Sequence, residues 1–179
     1  MSFTSFLVSY IIDPLLAVAL FVVIARLLLQ LTRADFRNPI AQAIVQLTNP
    51  LIVPLRRVLP PIGKVDTASV VAVLLVAGVE VAVLSALRGA GLPDWLTWLD
   101  ALALEIAHTL LWTYCYAILI YWLLSFIAPG GYSPLQSVLT SLCEPVLRPF
   151  RRIIPPVAGL DLSPLWATIA IQAILILIR

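Results

Sequence analysis

Four long apolar runs, at residues 10–32, 67–88, 102–127 and 163–178, decide most of what this chain can become. A hydrocarbon core about 30 Å thick takes about 20 apolar residues of helix, and backbone placed there must satisfy its own hydrogen bonds. Composition agrees: 11% of the 179 residues are charged and the mean hydropathy is +1.08, against about 25% charged in soluble domains. The expected fold class is therefore an all-α membrane protein with four transmembrane helices. The fourth run is short. At 1.5 Å per residue it covers about 24 Å, so it relies on bilayer thinning or on snorkelling by Arg179. The opening MSFTSFLVSYIIDPLL has no basic segment and stays apolar to Leu31, so the first run reads as a retained span rather than a cleaved leader.

Cations set the orientation. Arg33, Arg37, Arg56, Arg57 and Lys64 lie between the first two spans, and Arg148, Arg151 and Arg152 between the last two, which makes eight of the eleven. The positive-inside rule then puts both basic loops in the cytoplasm and both termini outside. Trp95 and Trp98 fall at the outer surface, on a short amphipathic stretch PDWLTWLDAL suited to an aromatic belt.

The two basic loops carry the same text. Residues 38–66 read NPIAQAIVQLTNPLIVPLRRVLPPIGKVD, and residues 133–161 read SPLQSVLTSLCEPVLRPFRRIIPPVAGLD. They align without a gap, with Pro39, Leu47, Pro50, Pro54, Arg56, Arg57, Pro60, Pro61 and Asp66 repeated as Pro134, Leu142, Pro145, Pro149, Arg151, Arg152, Pro155, Pro156 and Asp161. An apolar span flanks each copy on both sides. The chain thus divides into two tandem units of equal orientation, 1–90 and 95–179, each a span, an interfacial segment and a second span.

Within a unit, Asn38 and Ser133 are good N-caps, and Pro39 and Pro134 suit the first helical position, where a missing N–H costs nothing. Short amphipathic helices are expected over 38–50 and 133–144. Ile40, Ala43, Ile44 and Leu47 form the apolar stripe of one, and Leu135, Val138, Leu139 and Leu142 that of the other. Pro50 and Pro145 should disrupt or restart them. Pro54 and Pro60, with Pro149 and Pro155, should hold the following segment in kinked helix or extended polyproline geometry. Such backbone belongs at the water interface, where Arg56, Arg57, Arg148, Arg151 and Arg152 can reach anionic phospholipid, each cation worth about 1 kcal/mol. The arginines can equally serve topology alone. Nucleic acid is a poor partner for these doublets, which lack a long basic stripe with interleaved aromatics.

Ionisable residues within the spans mark a second place to look: Asp13, Arg26, Glu80, Glu105 and His108. Arg26 is shallow enough to snorkel, and Asp13, Glu105 and His108 are near the outer interface. Glu80, in LLVAGVEVAVL, is deep and has no basic partner within one turn of its own helix. Asp13 and His108 occupy equivalent positions of the two units, which would make them neighbours across a pseudo-twofold axis. An outer cluster of Asp13, His108 and Glu80 would bind an ion or relay protons; the plainer alternative is that the outer side chains simply reach water and Glu80 is a neutral buried residue. Cys115 and Cys143 have no ligand spacing, so neither a disulfide framework nor a metal site is expected. No phosphate loop, HExxH or GxSxG is present, and the chain reads as non-enzymatic and free of cofactor.

At NPIAQAIVQLTNPLIVPLRRVLPPIGKVDTAS and SPLQSVLTSLCEPVLRPFRRIIPPVAGLDLSP the chain resembles the YggT family, called YlmG in cyanobacteria and plastids. The resemblance implies a small integral protein of the bacterial inner membrane. It also links the chain to osmotic-shock tolerance and potassium uptake, to division or nucleoid organisation, and to cytochrome assembly in plastids. Two expectations follow. The first is a membrane scaffold or assembly factor whose interfacial collars bind anionic lipid and partner membrane proteins. The second is an osmoadaptive ion transporter or channel, which with four spans per copy would need a homo-oligomer.

Overall fold

The computed structural model describes residues 3–60, 66–89, 91, 94–127, 133–154 and 161–178. Six helices occupy them: α1 (Phe3–Leu31), α2 (Pro39–Val58), α3 (Thr67–Leu87), α4 (Trp95–Ile127), α5 (Pro134–Ile153) and α6 (Ser163–Leu177). No strand occurs among the described residues. Three of the helices are long and apolar enough to cross a membrane, namely α1 over Tyr10–Leu31, α3 and α4, whereas α6 is apolar but only 15 residues long.

The core is continuous through the chain. Leu20, Val23, Ile24 and Leu28 of α1 meet Ala68, Ala72, Val73 and Ala77 of α3, where small side chains let the two backbones approach. Cys115, Ala117 and Ile118 of α4 extend the cluster to Ala167, Ile171 and Leu175 of α6. Among the described residues α6 packs on α4 and α5, so the α3–α4 seam has no α6–α1 counterpart. The two halves are therefore not closed around a two-fold axis.

α4 is longer than the sequence pattern suggested. PDWLTWLDAL is no separate surface helix, because from Trp95 onward it forms the first turns of a 33-residue α4 about 50 Å long. Trp98 turns its ring toward α3, where a Cβ added to Gly78 would come within 2.9 Å of it, while Trp95 stays 69% exposed. Gly78 is what permits this close packing.

The larger departure concerns α2 and α5. Asn38 Oδ1 accepts the Ile40 N–H at 2.9 Å and Ser133 Oγ accepts the Gln136 N–H at 3.1 Å, so both helices start where their caps direct. Neither stops at its first proline. Each runs 20 residues, through Pro50 and Pro54 or Pro145 and Pro149, rather than ending near 50 or 144. A proline four residues on removes the helical donor for the carbonyls of Gln46 and Pro50, and of Ser141 and Pro145. Gln46, Pro50 and Pro54 are exposed, as are Pro145 and Pro149, so the opened backbone lies on the outward side, where water or headgroups can pair with it. Burial of the opposite face keeps the helix intact.

In α2 that buried face is not the expected one. Ala41, Thr48 and Ile52 are buried, whereas Leu47 is 71% exposed and Ile40 and Ala43 are also exposed. In α5 the stripe of Val138, Leu139 and Leu142 is buried as its periodicity suggests, with Leu135 exposed. The two helices also touch each other: Asn38 Nδ2 donates to the Pro134 carbonyl at 2.7 Å.

Candidate functional site

At the end of the bundle where α1 and α4 finish, the paired arginines divide into one that faces in and one that faces out. Arg56 is bonded to Asp66, just before α3, with Nε at 3.1 Å and a closer second contact from the guanidinium. Asp66 also accepts from Ser69 Oγ at 2.8 Å and from Gln30 Nε2 at 3.2 Å. Burial alone would raise its pKa, but hydrogen bonds from Arg56, Ser69 and Gln30 prevail and hold it below the usual 3.8. Arg151 repeats the closure more fully: Nε donates to Asp161 at 2.8 Å, one terminal nitrogen to Glu144 at 2.6 Å, and the other to the Tyr121 hydroxyl at 3.1 Å. Burial lowers the Arg151 pKa, yet Asp161 and Tyr121 more than offset it and leave it raised. Asp161 is held below its ordinary value: burial raises it, and bonds from Ser163 and Arg151 lower it further than that.

Arg56 and Arg151 are thus occupied within the fold. Arg57, Arg148 and Arg152 are exposed and have no ion-pair partner among the described residues. Pro60, exposed at the end of the first segment, offers its carbonyl to Thr67 Oγ1 at 2.8 Å. Pro155 lies outside the described residues.

Arg26 does not snorkel. It is 2% exposed, and a single terminal nitrogen donates to Thr48 Oγ1 at 2.6 Å, Asn49 Oδ1 at 3.0 Å and the Val45 carbonyl at 3.2 Å. Thr48 passes its own proton to the Ile44 carbonyl at 2.7 Å. This explains why a threonine, rather than a residue of the apolar stripe, faces inward on α2. Nε of Arg26 has no partner, and no carboxylate pairs with it among the described residues. A cleft of about 320 Å³ opens between α1 and α2, lined by Arg26, Gln30, Phe36, Gln42, Val45 and Arg56.

Thirteen residues back along α1, about 20 Å by helical rise, a second cleft of about 460 Å³ brings Asp13, Glu80, Glu105 and His108 to one lining, with Phe21, Trp112 and Tyr116. Glu80 is 1% exposed and its Oε2 has no hydrogen-bond partner among the described residues. Trp112 Nε1 donates to His108 Nε2 at 3.2 Å. Trp112 stacks on Tyr116 with centroids 5.3 Å apart. The sequence reading left Glu105, Trp112 and Tyr116 out of this cluster, although positions 105, 108, 109, 112 and 116 share one helical face. Arg26 belongs to the other cleft. Among the described residues no group of three or more His, Cys, Asp or Glu is arranged to hold a metal ion.

Comparison with known proteins adds a family. The CCB3/YggT family model matches residues 5–87 and 101–179. An uncharacterised protein of Pseudomonas aeruginosa is 38% identical over 166 residues, covering 92% of this chain and 84% of that protein. The uncharacterised protein YggT of Escherichia coli K12 is 31% identical over 166 residues, 93% of this chain and 86% of its own. A shorter match reaches YlmG homolog protein 2, chloroplastic, of Arabidopsis thaliana, 42% identical over 45 residues, which are 25% of this chain and 18% of that one. No solved structure matches.

Proposed function

The chain belongs to the CCB3/YggT family, and on that premise we propose that it is a non-enzymatic scaffold or assembly factor of the bacterial inner membrane. In this reading α1, α3, α4 and α6 are four spans, arranged as two tandem units, 1–90 and 95–179, with the arginine-bearing segments in the cytoplasm and both termini in the periplasm. The positive-inside distribution supports that orientation. α2 and α5 are the collars, lying at headgroup depth.

One observation carries the proposal. Each collar is fixed to the bundle by its buried stripe and by an inward arginine, Arg56 or Arg151, and still turns a face outward that combines apolar and cationic side chains. On α2 these are Leu47, Val53, Val58 and Arg57; on α5 they are Ile153, Arg148 and Arg152. Apolar groups at acyl depth beside cations at phosphate depth suit anionic lipid and the cytoplasmic edges of partner membrane proteins. Replacing Arg57, Arg148 and Arg152 together by glutamine is expected to reduce recovery of cross-linked partners at least severalfold, with protein level and ion flux unchanged. Undiminished cross-linking would remove the proposal.

The second cleft favours an alternative, cation or proton passage in an osmoadaptive homo-oligomer. Its support is the buried carboxyl of Glu80, one oxygen of which has no partner among the described residues, beside Asp13, Glu105 and His108. Potassium flux into sealed liposomes, higher than in empty vesicles and reduced by Glu80→Gln, would establish it. Absence of flux in anionic and neutral lipid alike would dismiss it.

A further inference from the structure

Arg26 is a buried guanidinium that forms no ion pair among the described residues. Its three acceptors are neutral and all serve one nitrogen, while Nε has none. A guanidinium stays protonated in proteins, so this charge cannot be relieved by losing its proton. Burying a charge against neutral acceptors alone is unfavourable unless an anion completes the site.

The other half of the chain shows what completion looks like. Ninety-five residues on, Tyr121 stands in place of Arg26, Cys143 in place of Thr48 and Glu144 in place of Asn49. There the arginine, Arg151, meets two carboxylates and a phenol. In the first half two arginines, Arg26 and Arg56, share the single carboxylate of Asp66, which bonds to Arg56 and not to Arg26. Charge is missing on one side only.

The missing charge has a place to sit. The cleft of about 320 Å³ is lined by Arg26 and Arg56 with Gln30 and Gln42, and no acidic side chain is among its lining residues; Arg56 and Gln30 already donate to Asp66, so Arg26, with its unpartnered Nε, is the cation left for an anion. Phe36 supplies an apolar wall. We infer that this cleft binds a phosphoryl oxyanion, supplied either by an anionic phospholipid headgroup or by free phosphate. Planar guanidinium donors match phosphate oxygens in geometry as well as in charge. Arg26 lies five residues from the end of α1, about 8 Å along the axis, a depth at which a lipid phosphate can meet it. The inference rests on the collar reading only in setting α2 at headgroup depth.

The test uses the full chain, purified in a neutral detergent, with thermal unfolding followed against added dioleoylphosphatidylglycerol, dioleoylphosphatidylcholine or inorganic phosphate. Wild type is expected to show a saturable rise in melting temperature with phosphatidylglycerol. The informative variant is Asn49→Asp, because residue 49 already lies 3.0 Å from the guanidinium and the change is isosteric. It supplies the carboxylate from within. Asn49→Asp is expected to start from a higher melting temperature and to need at least tenfold more phosphatidylglycerol for half its response; Arg26→Gln, where it folds, should lose the response.

A response to phosphatidylglycerol alone identifies a lipid source, and an equal, saturable response to inorganic phosphate identifies a free-anion source. Asn49→Asp responding at wild-type concentrations would overturn the inference, as would a wild type indifferent to all three probes. The outward triple variant at Arg57, Arg148 and Arg152 keeps Arg26 intact and should retain the saturable response. If the triple variant loses it while Asn49→Asp keeps it, the pocket is refuted and the collar reading survives.

Discussion

Arg56 and Arg151 occupy the same line of a duplicated text and live in different chemistry. Both join the end of an amphipathic helix to the aspartate that precedes the next apolar helix. Around Arg151 the sequence adds Glu144 and Tyr121, so that one side chain links α5, α4 and the start of α6. Around Arg56 the corresponding positions are Asn49 and Arg26, and the neighbouring cation is directed into α2 instead. Similar text yields a closed ionic network in one half and an unsaturated basic cleft in the other. What separates the two outcomes is two residues outside the shared signature.

The sharpest way to break that comparison is to remove the two arginines in turn. Arg151→Met deletes charge-assisted bonds to three partners and is expected to cost about 3 kcal/mol, since bonds to charged groups are worth about 1.5–3 kcal/mol each and are not additive. Arg56→Met should cost only about 1 kcal/mol. Its guanidinium is half exposed, and Asp66 keeps its bonds from Ser69 and Gln30. Reversible unfolding in mixed micelles measures both. Equal losses would mean that Glu144 and Tyr121 contribute nothing beyond what Asp66 and Asp161 supply alike.

A second contrast lies deeper, between Glu80 and the position ninety-five residues later, where Leu175 is buried in the core. Leucine fills such a place without any polar demand, whereas the Glu80 carboxyl keeps an oxygen without a partner. Glu80→Leu is therefore expected to stabilise the protein by about 1–2 kcal/mol, the scale of desolvating one unsatisfied polar group. A gain in stability accompanied by lost flux would identify Glu80 as a residue retained for transport at the expense of packing. A loss of stability would show instead that the carboxyl is satisfied in the membrane.

These contrasts also explain what the sequence disclosed. The six helices follow from apolar length and from the caps Asn38 and Ser133, because hydrophobic extent and local hydrogen bonding are properties of short stretches. The clustering of Asp13, Glu80, Glu105 and His108 was only partly legible: depth along a helix can be counted, but which faces turn toward one another depends on packing between α1, α3 and α4. The course of α2 and α5 through two prolines was legible only as one of two alternatives, a kinked helix beside an extended segment. Local rules end a helix at proline, and it was burial of the opposite face, a tertiary effect, that prevailed. Thr48 makes the same point in miniature, since it looks like a residue for the polar face until Arg26 is known to lie beneath it.

The smallest expected effect is a dependence on acid, and its sign follows from the two aspartates. Asp66 and Asp161 are both held below the ordinary value of 3.8. A carboxylate whose pKa is depressed by folding contributes stability that is fully present above the unfolded value and is lost as pH falls through the folded one. Both halves should therefore be at full strength at neutral pH and weaken only below about pH 5. Asp66 has the less exposed side chain, 11% against 41% for Asp161, so its bonds are less screened by solvent. Asp66→Asn should accordingly remove more of the pH dependence than Asp161→Asn, with a difference of at most about 1 kcal/mol between pH 7 and pH 3. If the two variants flatten the curve equally, exposure does not rank the closures, and the asymmetry of the halves is confined to Arg26 and the cleft it faces.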